Sequence, residues 1–85
     1  MKYNMRGDIM KDSDENHKEN YDEIKKVLKE VIDNLDELGY NAITQVAGYL
    51  QSGDLGYISN YKDSRNKLSE FDRNDILEAL IKNVL

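Results

Sequence analysis

Residues able to do chemistry are few in this chain, and they are poorly placed to do it together. The single histidine, His17, stands among Lys11, Asp12, Ser13, Asp14, Glu15, Asn16, Lys18 and Glu19. General-base work needs hydrogen-bond reach fixed by a rigid element, and this stretch supplies none. Asp12, Asp14, Asn16 and Glu23 follow the first, third, fifth and twelfth positions of a calcium loop, but His17 occupies the place where the sharp turn requires glycine. Neither a GxGxxG run nor a Gly-Lys-Ser/Thr triplet is present. The expectation is therefore no catalytic residue, no metal site and no cofactor. What remains is a set of cations, Lys62, Arg65, Lys67 and Arg73, that follows the apolar run Ile43-Thr44-Gln45-Val46-Ala47-Gly48-Tyr49-Leu50. A scaffold helix followed by a recognition helix would give a DNA-binding transcriptional regulator, the alternative reading. Against it, about nine residues separate Leu50 from the next helix where that motif allows three or four, and Asp63 and Glu70 interrupt the basic face.

The elements that must hold these residues are helical. From Met1 to Asn20 apolar residues are too sparse to offset the entropy of ordering, so residues 1–20 read as a mobile acidic and polar tail and residues 21–85 as the folded domain. Ile24, Val27, Leu28, Val31, Ile32, Leu35 and Leu38 recur at the three- and four-residue spacing of one helical face. Gly39 supplies that helix with its stop. Asn41 is the N-cap of a second helix with Ile43, Val46, Ala47 and Leu50 on one side and Gly53 as its end. Asp54 caps a short turn through Gly56 and Tyr57, and Tyr61 to Glu70 forms a third helix anchored by Leu68 and the Tyr61 ring. Asp72 as N-cap, Asp75 as a shortened capping box and Phe71 stapled to Ile76 start the last helix, which buries Ile76, Leu77, Leu80, Ile81, Val84 and Leu85. With no strand alternation, the fold class is all-α: a small bundle of four to five short helices.

A body of about 65 residues is near the lower limit for independent folding. The chain has no cysteine to staple it, so its apolar helices are expected to pack against a second copy in a homodimer. Tyr49, Tyr57, Leu50 and Ile43 are the residues expected in the core or that interface. Four of the six tyrosines, Tyr40, Tyr49, Tyr57 and Tyr61, crowd the middle of the sequence; they read equally as the margin of a small core and as a partner surface. A net charge of -5, from 12 basic and 17 acidic side chains, repels nucleic-acid backbones. The absence of cysteine and of any apolar stretch near the ~20 residues that span a bilayer points to a soluble, unprocessed protein of a reducing cytoplasm, without membrane insertion.

From Gly39 to Leu85 the chain resembles the IreB/ReoM family of small regulatory phosphoproteins of Gram-positive bacteria. The resemblance is carried by Gly39-Tyr40-Asn41, Gln45, Gly48-Tyr49-Leu50, Ser52-Gly53-Asp54, Tyr57-Ile58, Lys62-Asp63, Arg65 and Arg73. It implies a helical homodimer with a flexible tail, a target of a membrane-bound Ser/Thr kinase. Phosphorylation of a tail threonine in this family relieves a restraint on peptidoglycan synthesis, and in one branch the unmodified protein promotes degradation of the pathway's first committed enzyme by an ATP-dependent protease. Lys62, Asp63, Arg65 and Arg73 become the expected partner-binding residues. The family threonine precedes a methionine, whereas this chain has Ile9-Met10 and no threonine before Thr44. Ser13 is thus the local substitute as phosphate acceptor, beside the reading of an unmodified tail serine. Asn60 and Ser69 replace the family's usual arginines, and Ala42, Leu55 and Ser59 its loop prolines. Arg65 reads either as a contact residue or as an ion-pair partner of Asp63 or Asp72.

Overall fold

The computed structural model describes the backbone of residues 4–85 and the side chains from Tyr21 onward. The side chains of residues 1–20, expected as a mobile tail and including Ser13 and His17, lie outside those described, while the backbone of residues 4–20 is helical, the first part of α1. Among the described residues the chain forms helices and no strand: α1 (Asn4–Glu37), α2 (Ala42–Ser52), two single 3-10 turns (Leu55–Tyr57 and Tyr61–Asp63), α3 (Ser64–Ser69) and α4 (Arg73–Val84).

Helix α1 is the spine on which α2, α3 and α4 all pack. Tyr21, Ile24, Leu28, Val31 and Leu35 are its buried stripe, as their spacing predicts. The opposing helices contribute Ala42, Val46 and Tyr49 from α2, Leu68 from α3, and Ile76 with Ala79 from α4, while Ile58 enters from the loop. At the start of the described side chains the Tyr21 hydroxyl donates to Glu78 Oε1 at 2.8 Å, joining α1 to α4 across most of the sequence.

Gly39 ends α1 in a Schellman motif. Its φ of 89° is left-handed; Tyr40 N–H reaches back to Leu35 O at 3.0 Å and Gly39 N–H to Asp36 O at 2.9 Å. Asn41 caps α2 as expected, its Oδ1 accepting from Thr44 N–H at 3.2 Å. At the far end Gly53, also left-handed, donates its N–H to Tyr49 O at 2.7 Å. The Asp54 carboxylate accepts from Gly56 N–H at 2.8 Å and shapes the first 3-10 turn.

Two expectations need correction. Asp72 has the extended backbone of an N-cap, and its carbonyl accepts from Ile76 N–H at 3.1 Å, but its side chain makes no capping bond. Asp72 is exposed, so solvent can satisfy the first N–H groups of α4. The apolar stripe of α4 is also wider than the core it meets: Ile76 and Ala79 are buried, whereas Ile81 is 61% and Val84 83% exposed, with Leu77 and Leu85 facing outward beside them. Ile43 on α2 is likewise 77% exposed. Among the described residues no element covers these side chains.

Candidate functional site

Two surfaces flank α2, because at about 100° per residue positions 43, 47 and 50 share one side of the helix and 45 and 48 another. On the first side Ile43, Val46, Ala47 and Leu50 join Leu28 and Ile32 of α1 and Leu80 of α4 around a groove of about 250 Å³ with an almost wholly apolar lining. Ile43, in this lining, is mostly exposed, as are Ile81 and Val84 on α4.

The second side is polar and aromatic. Gly48 brings the Tyr57 ring flush onto α2: a Cβ there would lie 2.6 Å from Tyr57 Cε1. Gln45 Nε2 donates to Tyr57 O at 3.0 Å. Arg65, from the first turn of α3, reaches back with Nε to Ile58 O at 2.7 Å and Leu55 O at 3.1 Å. The guanidinium therefore pins the loop that presents Tyr57, which is 40% exposed. Neither Asp63 nor Asp72 pairs with it; its partners are main-chain carbonyls. Arg73 does the same at the other end of the loop, donating from Nη1 to Leu50 O at 3.1 Å and packing over Gly53.

Lys62 sits between these anchors and α1. Its Nζ lies 3.3 Å from Glu37 Oε1 and 5.3 Å from the centre of the Tyr61 ring. A hydrogen bond from Tyr61, then the Lys62 ammonium, holds the Glu37 carboxyl below its usual range. The same contacts raise Tyr61 and Lys62, in each case chiefly through the hydrogen bond with Glu37. A depressed acid stabilises the fold above its unfolded pKa and loses that contribution as pH falls through the folded value; raised Tyr61 and Lys62 lose theirs in strong alkali. The contact should accordingly hold through neutral pH and fail below the ordinary carboxylate range. Following the Tyr61 ring resonances by NMR on acid titration tests this, and an unchanged spectrum down to the acid unfolding transition would contradict it.

The residues expected at a site are thus only partly gathered. Lys62, Asp63 and Arg65 share the second 3-10 turn and the start of α3, and Arg65 ties them to Tyr57. Arg73 stands apart, at the end of α2. Ile43 and Leu50 line the apolar groove, Tyr49 is buried in the core, and Tyr57 lies on the opposite flank. Sequence reasoning overlooked Glu37 and the buried Ser64, whose Oγ donates to Tyr61 O at 2.7 Å and accepts from Asn34 Nδ2 at 3.0 Å. Polar residues at helix ends beside a turn were the available signal.

The helix-turn-helix alternative does not take shape, since both 3-10 turns intervene between α2 and α3 and α3 has only 6 residues. Among the described residues no cluster of His, Cys, Asp or Glu could hold a metal ion, and no helix is long and apolar enough to cross a membrane. Schellman end, glycine-seated Tyr57 and the two arginine clamps are all built from the residues that carried the resemblance. The sequence model of the IreB regulatory phosphoprotein family matches residues 9–85, nearly the whole chain, and the protein belongs to that family.

Proposed function

We propose that this protein is a non-enzymatic, cytoplasmic regulator that works as a homodimer, is a target of a Ser/Thr kinase, and modulates peptidoglycan synthesis through protein-protein contact. Membership of the IreB regulatory phosphoprotein family carries the reading. The two flanks of α2 support a division of labour. The apolar groove with Ile43, together with the exposed Ile81 of α4, pairs the protomers, and the Tyr57–Arg65 flank, with Lys62, Asp63 and Arg73 around it, meets the regulated protein. Tyr and Arg side chains are the ones that most often anchor such contacts. Ser13 accepts the phosphate in place of the family threonine; about -1.5 to -2 of added charge would change how the N-terminal segment meets basic side chains.

Incubation of the full chain with the host's Ser/Thr kinase and ATP, followed by intact-mass measurement and peptide mapping, tests the kinase reading. One phosphate is expected, placed on Ser13 and lost in Ser13→Ala. No mass change under conditions that phosphorylate another substrate of the same kinase would overturn it, and a phosphate on Thr44 would move the acceptor site.

A further inference from the structure

Among the described residues other than glycine, only Lys62 and Asp63 have a positive φ, and they are consecutive: φ 54° and ψ 35°, then φ 64° and ψ 25°. A side chain with a Cβ is strained in this left-handed region, and Lys lacks the short polar group with which Asn and Asp ease it. Two such residues in succession persist only where the surroundings hold them. The holding contacts are few. Asn66 Nδ2 donates to Asp63 Oδ1 at 2.8 Å, and Asp63 N–H donates to Asn60 O at 3.0 Å. Ser64, buried between Asn34 and Tyr61, fixes the preceding carbonyl. Among the described residues Lys62 itself has the Glu37 carboxylate and the Tyr61 ring.

The turn has a clear mechanical consequence. It reverses the chain so that α3 starts at Ser64 and Arg65, the second residue of α3, points back to the carbonyls of Leu55 and Ile58. Relaxed toward an ordinary right-handed or extended backbone, residues 62 and 63 would redirect the first turn of α3 and withdraw the Arg65 clamp from the loop that carries Tyr57.

We infer that the left-handed Lys62–Asp63 turn is a strained latch, closed by the Glu37 carboxylate at the end of α1, and that opening it loosens the Tyr57–Arg65 surface. Glu37 is the control point because its carboxylate is the ion-pair partner of Lys62 and lies half-exposed where a competing cation or partner side chain can reach it. The inference rests on the partner-surface reading only for its use in the cell. Its measurement concerns the free protein, so a failed latch and a failed partner surface are told apart.

The test is amide hydrogen exchange by NMR on the full chain and three variants, read at Asp63 N–H, which bonds Asn60 O, and Ile58 N–H, which bonds Leu55 O. Glu37→Gln and Lys62→Ala both remove the ion pair and keep the Cβ strain, so both amides should exchange at least about fivefold faster, the factor expected for a modest loss of local stability. Lys62→Gly removes the ion pair and the strain together, because glycine takes positive φ freely. Its exchange at the same amides should stay within about twofold of the parent. Equal behaviour of the alanine and glycine variants would refute stored strain. Unchanged exchange in Glu37→Gln would refute the latch. Acceleration of the Ile76 amide in α4 to the same degree would reduce the effect to global destabilisation and also overturn the inference.

Discussion

Ile76→Ala should lower the unfolding free energy by roughly 2–5 kcal/mol, the range for removing a large aliphatic side chain from a site that cannot collapse around the gap. Ile76 is wholly buried, and it faces the buried stripe of α1 together with Ala79, which is too small to fill the space left. For a folded body of about 65 residues the whole stability is on the order of 3–10 kcal/mol. The variant is thus expected to be partly unfolded at 37 °C. Urea denaturation followed by circular dichroism would show a lower midpoint with an unchanged slope. A loss well under 1 kcal/mol would mean that α4 is not held by that contact.

The second large effect concerns association. Ile43→Asp combined with Ile81→Asp places two carboxylates on the outward side of α2 and α4, where each isoleucine is mostly exposed in the single chain. Helical content should therefore be retained. Burying two unpaired charges in the dimer should weaken self-association at least about 100-fold. Sedimentation velocity over a range of concentrations measures it, and the parent's thermal midpoint should rise with concentration where the variant's does not. A parent that stays monomeric at high concentration, or a variant that still dimerises, would remove this face from the proposed pairing.

Much of the fold was legible because its stops are chemically explicit. Gly39 and Gly53 both adopt the left-handed conformation their residue type favours, and Asn41 and Asp54 make the turn and cap bonds their short side chains allow. The stripe of α1 could be read from spacing alone. Other features were hidden for physical reasons. Nothing about a lysine announces a positive φ, so the Lys62–Asp63 turn was invisible, and the segment from Tyr61 to Glu70 read as one helix where the chain forms a 3-10 turn and then α3. Spacing marks an apolar stripe without saying how much of it a single chain covers, which is why Ile81 and Val84 were expected to be buried. Arg65 was weighed as a contact or an ion pair; its main-chain acceptors depend on a loop conformation that side-chain types do not reveal. Gly48 stood out in the sequence, but its use as a seat for Tyr57 depends on a residue nine positions away.

The spine arrangement of α1 bears on how the protein is made. Its buried stripe is closed by α4, which contributes Ile76 and Ala79 to the core, with Leu80 packed beside them. A nascent chain still attached to the ribosome must therefore carry an α1 stripe that α2 and α3 cover only in part until the Arg73–Val84 segment has cleared the exit tunnel. Until α4 docks, the newborn polypeptide exposes the apolar residues that α4 will cover to chaperones and proteases.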